Sequence, residues 1–197
     1  MPGPASLGDA FDPATFRSVM SSFPTGVTIV SAAADDGTLC GMTANSFTSV
    51  SLDPPIVLVC SQIGARTCEA AKSSGRFAIH VLAHDQIASA RAFVGYHAPR
   101  FDAVAHHVDP DGVPILDHWL AVLVCKLHDV TRVGDHDVLF GLVERCGRAD
   151  EPPLLFHESA LRMLPRLPAL AVKGGALALE DDDDLNDPLV RVLAPLG

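Results

Sequence analysis

The sequence has no surplus of positive charge. Fourteen Lys and Arg stand against 24 Asp and Glu, a net charge of −10 over 197 residues. With no basic stripe against that field, nucleic acid is not the expected partner. Long apolar runs are also missing. Stretches such as Ile56–Cys60 are far too short to span a bilayer, so no membrane partner is expected. The N-terminus lacks the basic start and apolar core of a secretory signal. Cysteine is scattered: Cys40, Cys60, Cys68, Cys125 and Cys146 form no Cys-x-x-Cys. An odd, unpatterned set reads as core thiols in a reducing cytoplasm. The Gly-x4-Gly-Lys-Ser/Thr phosphate loop and the Gly-x-Ser-x-Gly nucleophile elbow are both absent. The Asp181–Asp184 run lacks the spaced Asp/Asn pattern of a calcium loop. No metal site is expected from His97, His106 and His107 with Asp102 and Asp109. They have no helical His-x3-His spacing and no Cys partner, and read as a solvated loop.

What is present is enough apolar residue, 48%, to bury a core in one domain. Asp12-Pro13 should open a helix, with Asp as N-cap and Pro at the first position. Phe16, Val19, Met20 and Phe23 follow at helical spacing, and Pro24 stops it. Val27–Ser31, Leu39–Met42, Phe47–Val50 and Pro55–Cys60 read as strands, the first two joined by the Asp35-Asp36-Gly37 turn. A helix over Cys68–Ser73 is expected with Thr67 as N-cap and Gly75 just beyond it. Arg76–Leu82 is another strand, and Asp85 should cap a helix to about Phe93. Residues 94–118 carry Gly, Pro and four histidines without periodicity and read as a long surface loop. Leu120–Arg132 and Val138–Cys146 are long strands joined through Val133–His136, and Pro153–Phe156 is a last short one. Strands joined by hairpins predict a mainly β fold with peripheral helices, an antiparallel barrel rather than a doubly wound sheet. The expected layout is a flexible tail over 1–10, the domain over 11–164 and an acidic, Pro-containing extension over 165–197.

From Thr43 to Ser51, six hydroxyl or amide side chains fall in nine positions. They run into the strand that ends at Cys60. Neutral donors and acceptors beside a core strand suit a planar, heteroatom-rich ligand, whereas a metal wants His, Cys or carboxylates. Thr25-Gly26 at a bend would let a ligand approach the backbone closely. Arg66-Thr67 at a helix start form an anion site, where amides, dipole and guanidinium converge. Arg17 and Lys72 are further cations that could oppose the acidic field.

Phe23-Pro24-Thr25-Gly26-Val27-Thr28, the Thr43–Ser51 segment, Ser51-Leu52-Asp53-Pro54-Pro55 and Gly134-Asp135-His136 occur in that order. This ordered set resembles the flavin reductase-like family over residues 12–164. The resemblance implies an antiparallel split β-barrel of the FMN-binding type, usually homodimeric. It implies an NAD(P)H:flavin oxidoreductase that passes a hydride to N5 of FMN or FAD, and often a separate flavin-dependent monooxygenase as partner. By resemblance, Thr25, Gly26, Thr28, Thr43, Ala44, Asn45, Ser46, Ser49, Val50, Ser51, Cys60, Ser61, Arg66 and Thr67 would hold the flavin. His136 would place NADH or NADPH, with Asp135 orienting its imidazole. Two readings stay open beside it: a flavoprotein that keeps its FMN and acts on an organic substrate, and a non-enzymatic flavin-binding protein.

Overall fold

Asp12 starts the first helix as expected. Its carboxylate accepts from the Thr15 amide at 2.8 Å, and Pro13 leads α1 (Pro13–Ser21). The computed structural model describes residues 11–95, 100–163, 170–173 and 176–179. The expected tail over 1–10 therefore lies outside the described residues, as does most of the 165–197 extension. The strands that follow α1 are β1 (Thr25–Gly26), β2 (Thr28–Ala33), β3 (Leu39–Ala44), β4 (Thr48–Ser51) and β5 (Ile56–Gln62). Next come α2 (Arg66–Ser74), β6 (Arg76–Val81) and α3 (Ile87–Ala92). A 3-10 turn over Arg100–Ala103 precedes β7 (His106–Val108) and β8 (Pro114–Leu116). The long hairpin β9 (Ala121–Val133) and β10 (His136–Arg148) leads to β11 (Leu154–His157) and β12 (Ala160–Met163). A small hairpin, β13 (Leu170–Lys173) with β14 (Ala176–Leu179), completes the described chain.

Seven strands form one antiparallel sheet in the order β3-β2-β6-β9-β10-β5-β4. Its end strands, β3 and β4, are not hydrogen-bonded to each other, so the sheet does not close into a full barrel. Successive side chains of β2 point to opposite faces. Val30 packs with Val59, Phe77, Ile79, Leu139 and the inner face of α2. Ile29 packs the other way, with Leu82, Phe93, Leu116 and Leu154. Being buried on both faces, β2 is the spine of the molecule.

His80 on β6 is fully buried beside this spine. Its Nδ1–H donates to the Ile29 carbonyl at 3.1 Å, and its Nε2 accepts from the Leu116 amide at 3.1 Å. Burial first of all pushes its pKa down to about 4. It is a neutral core histidine that ties β2, β6 and β8 together.

Three local expectations change. Thr67 is not the N-cap of α2: the helix begins at Arg66, Ala65 takes the cap position without a side-chain bond, and Thr67 is buried inside. Asp85 does not cap α3, because Gln86 occupies that place. Residues 94–118 are not a structureless loop, since β7 and β8 pair there and Asp109 closes their turn through the Asp111 and Val113 amides. Such three-residue strands are too short to leave a period in sequence. The expected apolar face of α1 is present and lies exposed on this chain, with Phe16, Val19 and Phe23 exposed by 52%, 62% and 67%.

Candidate flavin and nicotinamide site

The open side of the sheet holds a cavity of about 350 Å³, within the range of small-ligand sites. Met42, Thr43 and Ala44 at the end of β3 form one wall, with Asn45 and Ser46 just beyond. Cys60, Ser61 and Gln62 at the end of β5 form the opposite wall. Ala65, Arg66 and Thr67 at the start of α2 close one end, and His136 stands at the start of β10. Phe93, Val94, Gly95 and Arg100 complete the lining. A second cavity of about 230 Å³ shares Thr43, Ala44, Asn45 and Val94 and is otherwise mostly apolar, with Val27, Phe156 and Leu161.

Two hydroxyls that sequence marks as ligand contacts line the cavity and also bond to its walls. Thr43 Oγ1 donates to the Ala90 carbonyl of α3 at 2.6 Å. Ser46 Oγ bridges to β5, accepting from the Cys60 amide at 3.0 Å and donating to its carbonyl at 3.1 Å. Thr28 lies behind the wall, its Oγ1 donating to the Ala44 carbonyl at 2.8 Å. Thr25 and Gly26 lie on β1 against β11, away from the cavity lining, and a Cβ on Gly26 would meet nothing within 4 Å. Ser49, Val50 and Ser51 lie on the edge strand β4 and do not line it either. The structure thus brings Thr43, Ala44, Asn45, Ser46, Cys60, Ser61, Arg66, Thr67 and His136 together, and leaves the other six outside.

The electrostatics are local. The first amides of α2 have no capping side chain and face the cavity end, the usual setting for an anion. Arg100 adds a second guanidinium there, which sequence reasoning missed. Its backbone has φ 30°, unusual for a non-glycine residue. Its Nη atoms donate to the Gly41 and Gly95 carbonyls, while its Nε is buried without a partner. Burial, then the neighbouring Arg66, lowers its pKa. A lone Arg in an aperiodic stretch gives no sequence signal. Lys72, by contrast, is held by Asp137 at 2.6 Å and Glu69 at 2.9 Å, and does not line the cavity.

The turn between β9 and β10 is two residues long, with Gly134 at φ 59° in the first central position, as in a type II′ hairpin. It sets His136 at the cavity end. His136 Nδ1 donates to Asp135 Oδ1 at 2.7 Å, and this bond lowers the Asp135 pKa. In the neutral ring Nε2 is then the acceptor. Next in sequence, Asp137 points the other way and is almost fully buried. Lys72 and then Arg132 (Nε at 3.2 Å) hold its carboxylate below the usual range. Asp137 so locks α2, which carries Arg66, to the hairpin that carries His136.

A family description, the flavin reductase like domain, matches residues 20–165. The chain belongs to the flavin reductase-like family. Among members of that family, the FMN reductase (NADH) of Agrobacterium fabrum is 38% identical, over 77% of this chain and 86% of that protein. The reductase subunit of a Rhodococcus jostii flavin-dependent monooxygenase is also 38% identical, over 78% of each chain. The solved NADH:FAD oxidoreductase of Streptomyces globisporus, in complex with NAD and FAD fragments, has a TM-score of 0.76 at 35% identity, over 82% of this chain and 98% of that one. The fold is therefore that of solved flavin reductases. The chain spans only 43% and 59% of the length of two Rhizobium meliloti relatives that are 42% and 41% identical to it.

Proposed function

We propose that this chain is an NAD(P)H:flavin oxidoreductase that reduces FMN or FAD and supplies reduced flavin to a partner monooxygenase. The observation that carries this reading is one cavity that gathers neutral hydrogen-bonding groups, an uncapped helix start with two guanidiniums, and His136. The buried, unpartnered Nε of Arg100 beside that helix start fits a phosphorylated cofactor. When bound, the flavin supplies the hydride-accepting chemistry, and the protein supplies orientation and electrostatics. Ala44, Asn45 and Ser61 offer small contacts to the polar edge of a planar ring without covering its face. Arg66, Thr67 and Arg100 hold the phosphate end. His136, fixed by Asp135, positions the nicotinamide. Ser46 ties the β3 and β5 walls together, and Thr28 holds Ala44 from behind. The names of relatives support both the NADH donor and the monooxygenase partner.

The active unit in this reading is a homodimer. The exposed apolar face of α1 supports it, since Phe16, Val19, Met20 and Phe23 form a stripe that a second copy would cover. A cytoplasmic location suits five cysteines that are all unpaired. No helix among the described residues is long and apolar enough to cross a membrane.

The test is anaerobic mixing of the protein with excess FMN or FAD, then NADH or NADPH, following loss of oxidised-flavin absorbance. Many turnovers of free flavin are expected. Flavin binding without bleaching would sink the reductase reading. Stoichiometric flavin that co-purifies and does not exchange would move the protein to direct action on an organic substrate. Sedimentation should give a dimer that Phe16→Ser dissociates.

A further inference from the structure

A second cluster of chemically active side chains lies outside the cavity lining. Three loops supply it: His84 and Asp85 follow β6, His118 precedes β9, and Glu151 follows β10. One donor atom each from His84, Asp85 and Glu151 lies within 4.8 Å of the others. His118 Nε2 is 3.3 Å from both carboxylate oxygens of Glu151 and 4.0 Å from Asp85 Oδ1. We propose that His84, Asp85, His118 and Glu151 form a surface site for a divalent transition metal of the Zn²⁺ class.

His84, Asp85 and Glu151 supply the mutually close atoms, all within 4.8 Å, and His118 joins them through Glu151 and Asp85. Zinc bonds to N and O of about 2.0–2.1 Å set tetrahedral ligand atoms roughly 3.3 Å apart. Two imidazoles and two carboxylates match borderline ions such as Zn²⁺. They do not match soft Cu(I), which wants thiolates, or Mg²⁺ and Ca²⁺, which want oxygen alone. His118 against its carboxylates could be an ordinary surface ion pair. His84 is what that simpler picture leaves unexplained, because its Nδ1 is buried and has no hydrogen-bond partner. Buried polar atoms are rarely left so. Among the described residues neither Asp85 nor Glu151 pairs with a Lys or Arg.

The scaffold holds the ligands in place before any ion arrives. The His84 amide donates to the Pro152 carbonyl at 2.9 Å, next to Glu151, and Ala83 pairs with Pro153. Buried Gln86 donates from Nε2 to the His118 carbonyl at 2.7 Å and accepts from the Ala83 amide at 2.9 Å. All three loops are therefore tied together, two through backbone pairing and the third through the Gln86 side chain. Such outer bonds orient metal ligands. A bound ion would clamp these loops at the entry to α3.

The experiment uses the untagged full-length chain, stripped with chelator, and calorimetric titration with Zn²⁺. Cys146 is an exposed thiol and a competing ligand, so Cys146→Ser is the reference protein. One Zn²⁺ per chain is expected, with a rise in Tm. His118→Ala and Glu151→Gln should each weaken binding by at least about tenfold. Co²⁺ in place of zinc should give the visible bands of a four-coordinate site with no thiolate charge transfer. Absence of binding, binding lost with Cys146→Ser alone, or affinity unchanged in folded Glu151→Gln would each overturn the proposal. These readouts need neither flavin nor nicotinamide, so they stand or fall apart from the reductase reading.

Discussion

The cavity and the His84–Glu151 cluster are joined by the same short helix, yet they are opposites. At the cavity, neutral groups line the walls and two guanidiniums stand at one end, in a protein of net charge −10. At the cluster, two carboxylates meet imidazoles, and among the described residues neither carboxylate pairs with a Lys or Arg. Helix α3 is capped at its start by Gln86 beside the cluster and at its end by Phe93 in the cavity wall. The lesson is that total charge does not decide what a site binds. Within a few residues of chain, local geometry gathers positive groups in one place and negative groups in another.

The largest expected effect attacks the scaffold that both regions share. His80 is neutral when folded with a pKa of about 4, against 6.5 in an unfolded chain. The unfolded state therefore binds the proton more readily, and stability falls as pH drops from 6.5 toward 4. The loss should approach about 3 kcal/mol over that window. Denaturant unfolding at a series of pH values checks this, and His80→Gln should flatten that part of the profile.

Next comes the positive side. Arg66→Gln should raise the FMN dissociation constant between about tenfold and a hundredfold, the worth of a hydrogen bond to a charged group. Riboflavin, which has no phosphate, should be nearly unaffected. Equal weakening of both flavins in fluorescence titration would remove Arg66 from the phosphate role. Arg100→Gln should show the same discrimination, since it completes that end.

A subtler break lies in the wall between the regions. A Cβ on Gly41 would come within 2.6 Å of the Phe93 ring. Gly41→Ala should therefore cost about 1–3 kcal/mol by overpacking and push Phe93 toward the cavity. Thermal melting reads the first effect and flavin titration the second. The smallest effect is at the nicotinamide end. Asp135→Asn removes the charge of an exposed partner of His136, a weak interaction in water. It should raise KM for the nicotinamide a few-fold and leave flavin affinity alone, whereas His136→Ala should raise it further.

Much of the fold was legible, because short β-branched runs such as Val27–Ser31, bounded by Pro24 and the Asp35-Asp36-Gly37 turn, read as strands. The start of α1 could be read from Asp12-Pro13, and the β9–β10 turn from Gly134. The β7–β8 hairpin could not, because three-residue strands carry no period and the Asp109 turn closes on its own backbone. The Thr43–Ser46 segment was legible as polar. Sequence did not reveal that Thr43 and Ser46 bind their own walls, since a hydroxyl serves a ligand or a carbonyl equally well.

By itself the sequence determined the antiparallel β class, the family, the neutral character of the Thr43–Ser51 segment and the placing of His136 on a tight turn. These follow from local periodicity, turn chemistry and motif order. Only the tertiary structure decided that Arg100 joins Arg66, that Lys72 is held by Asp137, and that His84, Asp85, His118 and Glu151 meet. Those groups lie up to 67 residues apart in the chain. What brings them together is strand pairing across β6, β9 and β10 and the backbone bonds between loops, and neither leaves a mark on the spacing of the residues they join.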